Sequence, residues 1–185
     1  MQFVGVKCIP APPRIDPWVI KFVKRSLFLL LVVLFLSSCA TGGVYVLPEA
    51  VGPAPGARGY GKEGVLQVYS RTTEFNDGGI RYLPHTSYRV YSTNGSFVKY
   101  VRNHTTSTDQ RPETVRLPVG NYSVTALSDV MGVVKVPVTI SGAQVTAVYL
   151  DSSRIKELQG ADENQLIRFP NGKIVGWRVK APERK

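Results

Sequence analysis

The sequence predicts an all-β protein: a seven-stranded antiparallel β-sandwich with a C-terminal β-hairpin, preceded by a signal peptide and a flexible tether. Three observations lead there. Between residues 65 and 151 apolar and polar residues alternate with period two, in strand-length runs separated by turn residues, as half-buried strands require. The chain holds 17 Gly and 13 Pro with 43% apolar residues, a turn-rich composition with enough apolar mass for one core. Near the start lies one unbroken apolar run, too short to remain across a membrane.

In that run, Lys21, Lys24 and Arg25 precede ten consecutive apolar residues, 27–36, and Ser37 and Ser38 follow. A membrane-spanning helix needs roughly 20 apolar residues, so residues 1–38 read as a leader and signal peptide, with an uncleaved anchor as the alternative. The segment Leu36-Ser37-Ser38-Cys39 resembles a bacterial lipobox. The resemblance implies cleavage between Ser38 and Cys39 and transfer of a diacylglyceryl group to the Cys39 thiol. Ala40, where Asp would retain a lipoprotein in the inner membrane, implies the outer membrane of a diderm cell envelope. Several acyl chains, at about 0.8 kcal/mol per buried CH₂, hold such a protein permanently. The segment Ile9-Pro10-Ala11-Pro12-Pro13 is foreign to a signal peptide, so initiation is expected nearer Val19 or Val23.

Processing constrains the rest. It discards Cys8 and acylates Cys39, leaving no disulfide and no free thiol. It also removes more basic than acidic residues, so the formal charge falls from +10 to about +6. That excess favours anionic neighbours such as lipid headgroups or cell-wall polymers. No dense basic run remains in the mature chain, and nucleic acid is not an expected partner.

Residues 39–62 carry the lipidated N-terminus and a Gly/Pro-rich stretch that reads as a tether, within which residues 44–47 could dock as a short edge strand. Residues 63–151 form the expected sandwich, with strands over 65–71, 87–92, 96–103, 113–118, 121–128, 133–140 and 144–150. Alternation is clearest in the sixth: Val134, Val136, Val138 and Ile140 fall on one face. Pro137 has no N–H to give a ladder, which predicts an edge strand or a bulge. Asn94-Gly95 predicts a two-residue type I′ hairpin, and Ser141-Gly142 a second turn of that kind. The first sets Tyr88 opposite Val101, Tyr91 opposite Val98, and His85 opposite His104.

Residues 152–185 read as a polar linker followed by a hairpin. Ile155 and Leu158 stand at helical spacing before Gly160, and Pro170-Asn171-Gly172 turns the hairpin, with Trp177 as its anchor.

The segment Leu117-Pro118-Val119-Gly120-Asn121-Tyr122-Ser123-Val124-Thr125-Ala126, then Val136 to Gly142 and Val145 to Leu150, resembles the carboxypeptidase-regulatory-like and PEGA-type modules. These are small transthyretin-like, broadly immunoglobulin-like, β-sandwiches. The resemblance implies a non-catalytic accessory module that aids folding, spaces domains, or contacts glycans or protein partners. No enzyme domain accompanies it here.

His85 and His104 are the only histidines, and the expected register brings them close enough to share a metal ion, with Asp109 or Glu113 as a conceivable third ligand. The competing reading is a structural pair, with Asn103 and His104 bonding a nearby loop. Of nine tyrosines, Tyr60 and Tyr82 lie outside the expected strands and are the candidate ligand-facing aromatics for an envelope glycan. No nucleophile elbow, His-Glu-x-x-His helix or phosphate loop occurs, so neither catalysis nor a cofactor is expected. The sequence therefore points to a structural or interaction lipoprotein, with glycan binding second and a small metal-binding protein third.

Overall fold

The computed structural model describes residues 43–55, 59–151, 158 and 161–179. The leader, the lipobox with Ser38 and Cys39, and Ile155 lie outside the described residues. The fold is all-β. Among the described residues there are thirteen short strands, a 3₁₀ turn at Glu163–Gln165 and no α-helix.

The strands are β1 (Tyr45–Val46), β2 (Val51–Gly52), β3 (Glu63–Tyr69), β4 (Phe75–Asp77), β5 (Ile80–Tyr82), β6 (Tyr88–Ser92) and β7 (Phe97–Val101). They continue as β8 (Thr114–Pro118), β9 (Gly120–Ser128), β10 (Gly132–Ile140), β11 (Val145–Tyr149), β12 (Leu166–Arg168) and β13 (Ile174–Arg178). The larger sheet has the order β12-β13-β2-β10-β9-β6-β7, with β1 also on β10; the smaller is β11-β3-β8. Alternation decides which face each strand buries. Val134, Val136, Val138 and Ile140 of β10 and Val124 and Ala126 of β9 are buried, and they share one core with Leu66 and Val68 of β3 and Val115 and Leu117 of β8. Tyr122 packs on the rim of that core and its hydroxyl donates to the Pro118 carbonyl.

All seven expected runs are strands, but they are not all antiparallel: β3 and β11 pair in parallel, as do β10 and β1, and β10 and β2. The turn at 141–144 explains the first case. Instead of folding the chain back along β10, it carries it into the smaller sheet beside β3, where the Ala143 N–H donates to Glu63 O at 2.7 Å and the Val65 N–H to Gln144 O at 2.8 Å. The residue with positive φ here is Ala143, at 54°, rather than Gly142, so this is not the expected second hairpin turn. A Cβ is strained in that region by about 1–2 kcal/mol, partly offset by the greater unfolded-state freedom of glycine. Ala143→Gly should therefore raise stability by up to about 1 kcal/mol, read as an upward shift in the urea midpoint without a change of slope.

The strand allowed for at 44–47 is present as β1, and the rest of the expected tether is corrected where it is described. Its residues supply β1 and β2, which lie parallel to β10, and Leu47 and Val51 are fully buried. This also corrects the expectation for Pro137. Strand β10 is neither an edge nor bulged; it pairs with β9 without interruption from Gly132 to Ile140. The Lys135 carbonyl accepts from the Leu47 N–H, away from β9, and strand groups repeat their direction every two residues, so the Pro137 nitrogen also faces that side. It falls between β1, paired at Val134 and Lys135, and β2, paired at Val138. The missing donor sits at a break between partners.

The β6–β7 hairpin differs from expectation by one residue. Gly95 alone has positive φ at the tip, the Gly95 N–H donates to Ser92 O and the Ser92 N–H to Ser96 O, giving a three-residue loop rather than a type I′ turn. Tyr91 consequently faces Phe97, and a bulge at Val98 restores the expected register from Val90–Lys99 to Tyr88–Val101.

The C-terminal hairpin is present, but it is continuous with the larger sheet: Trp177 pairs with Gly52 and Arg178 with Val51. Trp177 is only half-buried, against a smaller cluster with Tyr69 and Tyr149; Ile167, Phe169 and Val175 are what enter the main core. The β4–β5 hairpin has no counterpart in the sequence reading. Its signal is Gly78-Gly79, at φ 55° and 82°, between two three-residue strands too short to show a period.

Candidate functional site

Polar side chains gather where β3 ends, β6 begins and β7 leaves the larger sheet. Ser70 follows β3, and His85 and Thr86 precede β6, held by the Thr72–His85 bridge and by the Thr86 N–H donating to Arg71 O. The His85 ring is 3% exposed, with Nδ1 2.6 Å from Ser70 O, and Tyr69 meets it edge-on at 5.7 Å. His104 Nδ1 lies 2.8 Å from His85 O. A carbonyl can only accept, so each ring carries its proton on Nδ1.

The two histidines are thus adjacent, yet each ring spends its Nδ1–H on a backbone carbonyl. The expected register ends at Tyr88–Val101, and beyond it His85 belongs to the Thr72 bridge instead of facing His104 in a ladder. No group of three His, Cys, Asp or Glu that could hold a metal occurs among the described residues. Asp109 is occupied locally: it accepts from the Arg111 N–H at 3.0 Å and the Thr105 N–H at 3.3 Å. Those two N–H groups hold its carboxyl below the usual carboxylate range, Arg111 contributing most. A depressed folded pKa supplies stability above the unfolded value and loses it as pH falls through the folded one. In an NMR titration the Asp109 carboxyl should have a midpoint below that of a model aspartate, and the Arg111 amide should shift with it.

Asn103 organises the cluster, a role the sequence reading indicated only as a loop contact. It is fully buried; Nδ2 donates to Val68 O at 2.7 Å and to Ser70 Oγ at 3.1 Å, while Oδ1 accepts from the Glu113 N–H at 2.9 Å. It therefore ties the exit of β7 in one sheet to β3 and the approach to β8 in the other. Ser70 Oγ completes the chain by donating to Thr86 O at 2.6 Å.

Nearby, the Tyr88 hydroxyl is buried with no hydrogen-bond partner among the described residues. Burial, and secondarily the charge of Glu113, raise its pKa far above the ordinary value, so it stays neutral. Since an unsatisfied buried hydroxyl costs about 1–3 kcal/mol, Tyr88→Phe should be neutral or stabilising in thermal unfolding, unlike most core substitutions.

The two candidate ligand-facing tyrosines are placed differently. Tyr60 is 84% exposed in the loop before β3. Tyr82 is not outside the strands: it ends β5, half-buried, with its ring 6.4 Å from Phe75. Exposed aromatics concentrate instead on β7, the last strand in its sheet among the described residues. Phe97 is 59% and Tyr100 53% exposed; Phe97 meets Tyr91 edge-on at 5.9 Å, and the Arg89 guanidinium lies over the Tyr100 ring. Alternation hid them, because a tyrosine in a strand reads as core until the outward face is known. Comparison of the chain with protein families, curated proteins and solved structures gave no match.

Proposed function

We propose that the protein is a non-catalytic lipoprotein of the bacterial envelope, anchored through Cys39 in the outer membrane, whose β-sandwich presents an interaction surface to another envelope component. The transthyretin-like assignment is supported by the seven runs dividing into two sheets around one core. The observation that carries the interaction reading is the exposed aromatic edge: β7 turns Phe97, Val98 and Tyr100 to solvent and has neighbouring strand on one side only, among the described residues. Such an edge invites strand addition or aromatic docking. The bulge at Val98 and the charge of Lys99 limit promiscuous pairing. The polar cluster is read as structural, because its Nδ1–H groups and the Asn103 amide tie neighbouring segments together through backbone groups and Ser70 Oγ.

The test is site-specific photocrosslinking in living cells with the reactive side chain at position 97. A discrete adduct that is absent with the probe at Asn171, in the distant β12–β13 turn, supports the reading. Equal labelling at both positions removes it.

A further inference from the structure

The outward face of the larger sheet is unusual in its charge. Register places Tyr100, Arg89, Thr125, Lys135 and Val46 side by side across five strands, all on the face opposite the core. None of the strands β1, β6, β7, β9 and β10 contains an Asp or Glu. Neither Arg89 nor Lys135 has a carboxylate partner among the described residues. Two cations with no counter-charge on a face attract anions.

The same face becomes apolar toward one corner. Leu127 faces Val133, and Val44, one residue before the Tyr45–Val134 pair, lies beside Val133. Val44 is 50%, Val46 56% and Val133 39% exposed, and Val130 in the adjoining β9–β10 turn is 43% exposed. Between this corner and the cations lies a shallow concavity of about 330 Å³, lined by Arg89, Tyr100, Thr125, Leu127 and Val133.

Chain connectivity indicates what covers it. Because β1 runs parallel to β10, it enters the sheet at the apolar corner. Tyr45 is six residues on from Cys39, and at about 3.3–3.6 Å per residue the two lie at most roughly 22 Å apart. Exposed valines near the anchor, an aromatic ring and two long cationic side chains on one surface match a membrane interface, where apolar groups enter the acyl boundary and Lys and Arg meet phosphate.

We infer that this face lies on the bilayer: Val44, Val130 and Val133 dip into the headgroup boundary, and Arg89 and Lys135 bind phosphate of anionic lipid. The inference rests on the reading of Cys39 as the acylated residue. Once Cys39 is acylated and Cys8 removed, an introduced cysteine is the one reactive thiol. Lipidated protein carrying Val133→Cys, Val130→Cys or, at the opposite end of β9, Val119→Cys, each labelled with a polarity-sensitive fluorophore, is reconstituted into vesicles of phosphatidylcholine alone or with an equal part of phosphatidylglycerol. The expected result is a blue shift at 130 and 133 but not at 119, larger with phosphatidylglycerol, that extra shift being lost when Arg89→Gln and Lys135→Gln are combined. Co-flotation with vesicles but water-like emission at 130 and 133 overturns the inference and leaves the anchor intact. Failure to float overturns the anchor itself. If soluble polyglucuronate shifts the 133 label in detergent while vesicles do not, the face binds glycan and the inference is wrong.

Discussion

Replacing Asn103 by alanine is expected to destabilise the protein by about 3 kcal/mol, out of the roughly 5–15 kcal/mol that holds a domain of this kind together. The side chain is small, so lost packing is the lesser part. The larger part is what the substitution strands. Val68 O, inside β3, loses its side-chain donor, and the Glu113 N–H loses its acceptor. A buried polar group left without a partner costs about 1–3 kcal/mol, against about 1 kcal/mol net for a typical bond formed. Asn94 offers the contrast. Its side chain also accepts from a backbone N–H, that of Ser96 at 3.0 Å, but in an exposed turn where water replaces it. Asn94→Ala should cost less than half as much, and paired urea titrations of the two variants measure the difference.

Gly64→Ala is expected to be as damaging, by another route. A Cβ at Gly64 would stand 2.1 Å from Ser141 O and 2.8 Å from Ile140 Cγ2. The first contact is to backbone, which cannot rotate away as a side-chain tip does. Either β3 shifts against Leu117 of β8, with which Gly64 pairs, or the 141–144 turn moves and strains its bonds to Glu63 and Val65. Overpacking of this kind costs about 3 kcal/mol or more. Gly43→Ala, whose added Cβ meets nothing within 4 Å, should stay within about 0.5 kcal/mol of the parent.

What could be read from the sequence followed from period and length. In β10 Val134, Val136, Val138 and Ile140 alternate with Lys135, Pro137 and Thr139, and in β9 Tyr122, Val124 and Ala126 alternate with Ser123 and Thr125; these apolar residues turn to the core, Tyr122 only in part. Strands β1 and β2 have two residues each and no period, so a Gly/Pro-rich composition read as tether where the chain in fact lines β10. Parallel pairing of β3 with β11 joins segments 80 residues apart, and no local signal records it. Asn94-Gly95 marked the hairpin correctly but not its loop length, since Gly95 serves a three-residue loop equally well. The bulge at Val98 then returned the pairing to the expected register. The histidines were placed near each other by that register, while their chemistry depended on which carbonyls β3 and β6 left at the end of the ladder.

The placement of β1 bears on the proposed anchor: an acyl group on Cys39, six residues before Tyr45, would hold the domain close to the membrane instead of at the end of a long leash. Everything proposed for the exposed faces depends on that modification. The most direct measurement is mass spectrometry of the mature N-terminus from cells fed an alkyne fatty acid. An acylated peptide beginning at Cys39, lost in Cys39→Ala, is the expected result. An unmodified Cys39 thiol within a longer peptide would contradict it.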